Sequence, residues 1–299
     1  MKYLSSSEIS KRWGVSERSV RFYCASGRVI GSYLNGKTWM IPEDATKPDR
    51  QIRHSNLAPS LLDVLIREKE HATKGGIYHK LQIEMTFNSN HMEGSRLTHD
   101  ETRYIYETNT IGVSSKNIKV DDIIETVNHF RCIDLSIDFA KRKLSESFIK
   151  QLHLILKTGT SDSREPWFRV GDYKELPNVV GGSETTDPKR VQTEMKELLK
   201  TYNQKEYHFF EEIVAFHVAF EKIHPFQDGN GRIGRLITFK ECLKNDIVPF
   251  IILDHKKAFY YRGLKNWGEE ASWLIDTCLD GQDIVKKYLD YFNIRYKSP

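Results

Sequence analysis

The sequence lacks several features that would assign it to a protein class at once. It has four cysteines in 299 residues, and none of them forms a C-x-x-C pair. This spacing indicates neither a disulfide framework nor a zinc site, so we expect buried free thiols. No apolar run approaches the roughly 20 residues of a membrane helix. The first residues lack the long apolar stretch of a secretory signal. We therefore expect a cytoplasmic protein with no membrane partner.

An excess of charge of one sign is also missing over most of the chain. Residues 1–54 hold ten lysines and arginines against five acidic residues, whereas the remainder carries 35 against 36. Only the N-terminal segment is therefore suited to bind a polyanion. A chain of 299 residues is long enough for one large domain and one small domain.

Two helix-length stretches occupy the basic segment. Residues 4–13 and 16–26 each begin with serines that can cap backbone N–H groups, and Gly14 separates them. Residues 29–42 carry Asn35-Gly36 at their centre, which is typical of a β-hairpin with a two-residue turn. The outline resembles the small winged helix-turn-helix of the excisionase and MerR-like families, and it predicts such a domain over residues 1–45.

This resemblance implies duplex DNA as a partner of the N-terminal domain. The second helix and the wing would contact the duplex. The candidate residues are Ser16, Arg18, Ser19, Arg21 and Lys37.

The rest of the chain is predicted to be mostly helical. Residues 46–57 are polar and contain Pro48, so we interpret them as a linker. From residue 58 onward, apolar residues recur at helical spacing. The exception is residues 167–183, where glycines and a proline interrupt short apolar pieces. We expect one β-hairpin there and no other β element in this large domain.

Residues 224–235 combine groups that suit phosphate chemistry. An apolar helix over 213–223 ends at His224-Pro225 because proline disfavours its continuation. The turn that follows contains Gly229, Asn230 and Gly231, and its N–H groups at a helix start can bind an anion. Arg232 and Arg235 lie three residues apart on one helix face. Asp228 offers an oxygen ligand for Mg²⁺, and His224 is a candidate base.

The string HPFQDGNGRIGR is similar to the Fic family motif H-x-F-x-D-G-N-G-R-x-x-R. The resemblance implies a mostly α, Fic-type helical domain over 58–299 with one hairpin flap. It implies transfer of AMP from ATP, with magnesium, to a Ser, Thr or Tyr hydroxyl of a protein target. His224 would deprotonate the hydroxyl and Asp228 would bind the metal. The nucleotide phosphates would be held by Gly229, Asn230, Gly231, Arg232 and Arg235.

A second segment resembles the inhibitory pattern of the same family, [S/T]-x-x-x-E-[G/N]. Ser89 and Glu93 lie four residues apart, hence on one helix face, and Gly94 follows. The resemblance implies an inhibitory helix over about residues 78–94. Glu93 would pair with Arg235 and keep it from the γ-phosphate, so the enzyme would be inhibited in its resting state.

Two further regions resemble family features. The residues Asn178, Val179, Val180 and Gly181 lie in the segment similar to the flap, which can pair with a target as an added strand. Tyr260 and Tyr261 resemble the position near the adenine, where aromatic stacking is useful, although core packing explains either tyrosine almost as well. We interpret His217 as a core histidine.

A different class of hypothesis makes the chain primarily a DNA-binding regulator. Its Fic-like domain would then transfer another phosphate-containing group or act as an interaction module. The sequence leaves open whether the protein also removes AMP and whether it forms a homo-oligomer. It does not identify the target protein or the DNA site.

Overall fold

The computed structural model describes residues 2–25, 28–36, 38–48, 59–112 and 117–296. The chain divides into two compact units, Met1–Leu57 and Ala58–Pro299. Most of the predicted linker over 46–57 lies outside the described residues. Within the described ranges, none of the helices has both the length and the apolar character needed to cross a membrane.

The small unit combines two helices with a three-stranded antiparallel sheet of order β1-β3-β2. Its core is formed by Ile9, Trp13, Val20, Cys24, Val29 and Ile41. The elements are β1 (Tyr3–Ser5), α1 (Ser6–Trp13), α2 (Glu17–Ala25), β2 (Tyr33–Asn35) and β3 (Thr38–Pro42).

The two helices and the hairpin of the small unit were predicted, but β1 was not. The prediction began the first helix at Leu4, which instead lies in β1 and pairs with Ile41 of β3. The helix begins after Ser5, whose side chain accepts a hydrogen bond from the Glu8 backbone in a capping box. A three-residue strand is specified by its partner strand, and no local pattern marks it.

The large unit is helical apart from one short hairpin and two 3₁₀ turns within its described residues. Its first six helices are α3 (Leu61–Glu70), α4 (Ile77–Met92), α5 (His99–Thr108), α6 (Val120–Asp138), α7 (Glu146–Lys157) and α8 (Pro188–Tyr202). The others are α9 (Phe210–Ile223), α10 (Asn230–Lys244), α11 (Lys257–Lys265) and α12 (Ser272–Tyr291). The mostly α fold is thus confirmed.

Helix α10 lies at the centre of this unit and packs against α4, α6, α7 and α9. It is buried on all faces, and its buried side chains include Arg232 and Arg235. A charge taken out of water must be paired or it destabilises the fold. The partners of these arginines therefore decide what this part of the molecule does.

The predicted hairpin is present, but it is shorter than the stretch over 167–183. It consists of β4 (Val179–Val180) and β5 (Ser183–Glu184), joined by Gly181 and Gly182. Both glycines have positive φ, which a tight turn between strands requires. All four cysteines are free and buried, as expected.

Candidate active site

The predicted site forms where α9 ends and α10 begins. His224 caps the C-terminus of α9 in a left-handed conformation, with φ 50°. Gly229 precedes α10 with φ 83°. Between them, Phe226 is fully buried and stacks on the ring of His153 at a centroid distance of 4.0 Å. Asn230 fixes this loop, because its side chain accepts from the Phe226 N–H (2.9 Å) and donates to the Phe226 carbonyl (2.8 Å).

His224 is buried and uncharged at neutral pH, as a general base has to be before it takes a proton. Its side chain is 14% exposed, and its Nδ1 is buried without a hydrogen-bond partner. Burial lowers the pKa of His224 to about 4, with a further contribution from the nearby Lys174 ammonium. The ring is therefore neutral at pH 7 and has a lone pair that can accept a proton.

The N-terminus of α10 has the features of an anion site. The helix has 15 residues and no side chain caps its first N–H groups. These groups and the helix dipole favour a negative ligand. A side chain at Gly231 would collide with a carboxylate oxygen of Glu93. Glycine at this position thus keeps the backbone open, and the anionic group that approaches it in this structure is the Glu93 carboxylate.

Arg235 is held by Ser89 and Glu93, the residues of the predicted inhibitory pattern. Its Nη2 donates to Glu93 Oε1 at 2.7 Å and to the Ser89 carbonyl at 3.0 Å. Its Nε donates to Ser89 Oγ at 3.0 Å. Burial alone would lower the pKa of Arg235, but the Glu93 carboxylate outweighs burial and raises it. Helix α4 thus brings Ser89 and Glu93 to Arg235, which occupies its guanidinium with acceptors from this chain.

Asp228 and Arg232 belong to a network that the sequence did not predict. Asp228 Oδ2 accepts from Lys157 Nζ at 2.7 Å and from Arg232 Nη2 at 3.3 Å. Glu125 accepts from Lys157 at 2.6 Å and also from Arg232. Burial would raise the pKa of Asp228, but Arg232 and Lys157 outweigh it and lower the pKa. Asp228 is therefore ionised at pH 7.

The donor set around Asp228 fits magnesium only together with a nucleotide. Within the described ranges, no cluster of three or more His, Cys, Asp or Glu side chains is arranged to hold a metal ion. Magnesium commonly binds one or two carboxylates together with substrate phosphates. The half-exposed carboxylate of Asp228 matches that arrangement.

The flap is hydrogen-bonded to the loop between α9 and α10. The sequence did not predict these contacts. The Lys174 N–H donates to the Pro225 carbonyl at 2.9 Å. Asn178 Nδ2 donates to the Phe226 carbonyl at 3.1 Å, and Asn178 Oδ1 accepts from Lys174 Nζ at 2.7 Å. Asn178 therefore points into the protein. The exposed residues are Val179, Val180 and Gly181 at and beside the tip.

The two tyrosines differ in exposure. Tyr260 is 1% exposed and its hydroxyl is 2.5 Å from His217 Nε2, so its ring packs in the core and offers no open face to an adenine. Tyr261 is 43% exposed. Of the two tyrosines, Tyr261 is the one with an exposed ring on which an adenine could stack, and this role of Tyr261 stays a prediction. His217 is buried, as predicted, with Tyr260 as its partner.

The predicted DNA-contacting residues lie in the small unit. Arg18 and Arg21 are exposed on α2. Ser16 precedes this helix and its hydroxyl is 2.9 Å from that of Ser19. Lys37 lies outside the described residues.

Comparison with known proteins identifies the segment that contains the site. Residues 143–241 match the Fic/DOC family. This segment is therefore similar to the Fic/DOC family. This match spans α7 to most of α10, so it includes the loop between α9 and α10 but excludes Glu93 and the small unit.

Curated relatives extend this similarity over more of the chain. The protein adenylyltransferase Fic of Drosophila grimshawi is 26% identical over 209 residues, which are 67% of this chain and 39% of the relative. The one from Drosophila persimilis is also 26% identical over 209 residues, 67% of this chain and 37% of the relative. This chain thus spans about two fifths of the length of these curated relatives.

Solved structures share the fold. A Fic domain containing signaling protein from Bacteroides thetaiotaomicron superposes with a TM-score of 0.62 at 22% identity, covering 80% of this chain and 99% of that one. Fic-1 from C. elegans gives a TM-score of 0.61 at 16% identity, covering 78% and 72%.

Proposed function

We propose that the Fic domain transfers AMP from ATP to a hydroxyl group of a target protein, and that Glu93 inhibits this transfer in the resting state. The observation that supports the proposal best is the pairing of Glu93 with Arg235 beside the uncapped start of α10. A carboxylate there occupies the place where phosphate charge would bind. The adenylyltransferase names of the Drosophila relatives add support for the AMP group.

The chemistry follows from the positions of the side chains. His224 takes the proton of the target hydroxyl, and the oxygen attacks the α-phosphorus of ATP. A new P–O bond forms as the bond to the β-phosphate breaks, and pyrophosphate leaves. The N–H groups of α10, together with Arg232 and Arg235, stabilise the negative charge of the phosphates. Magnesium held by Asp228 would neutralise further phosphate charge.

Inhibition is explained by competition for Arg235. With Glu93 in place, the arginine is shared among acceptors on α4 and is not available to the γ-phosphate. ATP would then bind in a pose that does not align the α-phosphorus with His224. Positioning contributes much of the rate in phosphoryl transfer, so a misplaced nucleotide reacts slowly.

The proposal predicts that Glu93→Gly raises AMP transfer strongly. Truncating one partner of a buried charge pair typically changes its free energy by about 2–5 kcal/mol, so we expect a rise of about 30-fold or more. Intact mass spectrometry of the Glu93→Gly protein and of a cell extract, after incubation with ATP and magnesium, measures it. The double variant Glu93→Gly/His224→Ala is the matched control and should gain no mass.

The same measurement separates the alternatives. An added mass of AMP in the single variant alone supports the proposal. An added phosphate would assign transfer of a different group, and the absence of any adduct in both variants would favour an interaction module.

We further propose that Glu93 serves in the removal of AMP from modified targets. Its carboxylate faces Gly231 and Arg235, where the phosphate of a modified target would lie. A carboxylate in that place can activate a water molecule. Labelled, modified target incubated with metal should lose its label with the wild type and retain it with Glu93→Ala. Equal loss with both proteins would assign removal to another group.

We propose a second function, binding of duplex DNA, for the small unit. It combines two consecutive helices with a hairpin, and its second helix carries the exposed Arg18 and Arg21. An electrophoretic shift of duplex DNA that weakens as salt rises tests this. Absence of a shift at low salt would contradict it.

A further inference from the structure

A second carboxylate lies beside the catalytic histidine. Glu221 is one turn before His224 on α9, and its side chain is 14% exposed. Its Oε2 is 3.9 Å from His224 Nδ1. Glu221 Oε1 and His224 Nδ1 are both buried without a hydrogen-bond partner in the structure. The unpartnered ring nitrogen of His224 therefore faces one oxygen of the Glu221 carboxylate across a short gap, and the other oxygen of that carboxylate is itself unpartnered.

The small size of Gly234 creates the space for this carboxylate. A Cβ atom at Gly234 would lie 2.6 Å from Glu221 Oε1 and 2.7 Å from His217 Cε1. Helix α10 thus approaches α9 closely here, and the Glu221 carboxylate packs against the backbone of α10. Its position is set by the packing of two central helices, so the carboxylate is not a mobile surface group.

We propose that Glu221 is a positioning residue that accepts a hydrogen bond from Nδ1–H of His224 and so leaves Nε2 free to deprotonate the target hydroxyl. The inference rests on the proposed function, since it takes His224 as the base. A neutral imidazole carries its proton on one nitrogen, and the hydrogen bond at that nitrogen decides which. The gap of 3.9 Å has to shorten by about 1 Å, as hydrogen bonds in unliganded active sites commonly do.

The protonation state of Glu221 then determines which tautomer forms. Burial raises the pKa of Glu221 to about 8, Arg235 acts against this, and Glu93 adds to it. A protonated Glu221 would donate to Nδ1 and leave the ring proton on Nε2, where it blocks proton abstraction. An ionised Glu221 would accept from Nδ1–H. Ionisation of Glu221 therefore activates His224.

Several other charged or titratable groups face Glu221. His217 and His224 lie on or at the end of its own helix, Arg235 is on α10, Glu93 follows α4, and Tyr260 and Tyr261 are on α11. The pKa of His224 is about 4, so this ring stays neutral above pH 5. An increase in activity as the pH is raised toward about 8 therefore reports the ionisation of Glu221. Replacing Glu93 by glycine removes a negative neighbour and should move that rise to lower pH.

The backbone of Glu221 is a rival for the same role, because its carbonyl also faces the His224 ring and raises the pKa of the histidine. Glu221→Gln has nearly the same shape and keeps this carbonyl. The substitution exchanges the carboxylate for an amide whose NH₂ can donate to Nδ1. It therefore separates the side chain from the backbone.

The tautomer is measured directly by NMR of ¹³C,¹⁵N-histidine-labelled Glu93→Gly protein at pH 8.5, with Glu93→Gly/His224→Ala identifying the signal. We expect the proton of His224 on Nδ1 in Glu93→Gly and on Nε2 after the additional change Glu221→Gln. Glu211→Gln, an exposed glutamate on the same helix, is the matched control and should leave the tautomer unchanged. The same tautomer with and without Glu221→Gln would assign the proton to the backbone carbonyl and overturn the proposal.

Kinetics of AMP transfer in the Glu93→Gly background provide the second readout. Glu221→Gln should lower kcat by about 10–100-fold, in the range of lost general-base catalysis, with KM for ATP unchanged. It should also abolish the rise of kcat with pH, and Glu221→Asp should restore part of that rise. An unchanged kcat and pH profile in a variant that unfolds at the wild-type temperature would overturn the proposal. If the Glu93→Gly protein transfers no AMP, the proposed function fails, and the tautomer still decides the role of Glu221.

Discussion

Arg235 has three hydrogen-bond acceptors around its guanidinium, all supplied by the end of α4. Two come from Ser89, through its hydroxyl and its carbonyl, and one from the Glu93 carboxylate. Its Nη1 is buried without a partner. A buried cation with incomplete hydrogen bonding binds a further anion readily, because the desolvation cost has already been met by the fold. The position of Arg235 in this structure is therefore held by a small set of contacts.

At the residue scale we predict that Ser89→Ala partly relieves inhibition. It removes one hydrogen bond to a charged group, which is worth about 1.5 kcal/mol, so AMP transfer should rise by about tenfold and remain below that of Glu93→Gly. Transfer of labelled AMP measures the effect. In the Glu93→Gly background, Ser89→Ala should change nothing further. A fall there would show that Ser89 orients Arg235 for the nucleotide instead.

Some residues of the site could be predicted from the sequence, and others could not. His224, Asp228 and the two arginines lie within twelve residues, where helix periodicity and the turn fix their relation. Lys157 lies 71 residues from Asp228, and Glu125 lies 107 residues from Arg232. Those contacts arise from the packing of α6 and α7 on α10, and no local pattern encodes them. The pairing of Glu93 with Arg235 was predicted only through the family resemblance.

At the scale of elements, the flap and the loop between α9 and α10 are joined by hydrogen bonds. The Asn178 side chain bridges them, since it donates to the Phe226 carbonyl and accepts from Lys174. Each strand of the flap has only two residues. A hairpin this short is not stable alone and depends on such anchors. The glycines and the proline located the hairpin in the sequence. The predicted stretch was too long, because the ends of a strand depend on its pairing with the neighbouring strand.

We predict that Asn178→Asp loosens the flap without unfolding the domain. Aspartate keeps an acceptor for Lys174 but cannot donate to the Phe226 carbonyl. Losing a neutral hydrogen bond costs about 1 kcal/mol, so amide exchange over residues 179–184 should become about fivefold faster. Hydrogen exchange with mass spectrometry measures this, and helix α8 provides the internal reference. Unchanged exchange in the hairpin would show that other contacts hold it.

At the scale of the whole molecule, the two units carry different charge and different candidate chemistry. The excess of basic residues lies in residues 1–54, while the helical unit is almost neutral. The residues proposed to bind the nucleotide all belong to the helical unit, and each unit has its own hydrophobic core. Separate cores allow separate functions, so binding of DNA and transfer of AMP should be separable by substitution in the full chain.

The corresponding prediction uses two variants of the full chain. Arg18→Ala/Arg21→Ala removes two exposed cations from α2, so DNA affinity should fall about tenfold or more. The slope of log affinity against log salt concentration should become shallower by about two, because about two fewer counterions are released on binding. His224→Ala should leave DNA binding unchanged while abolishing the AMP transfer seen with Glu93→Gly. Fluorescence anisotropy with duplex DNA across a salt series, beside labelled AMP transfer, measures both activities. If the arginine variant bound DNA with the wild-type salt slope, α2 would not be the contacting helix. If it also lost AMP transfer, the two units would not act separately.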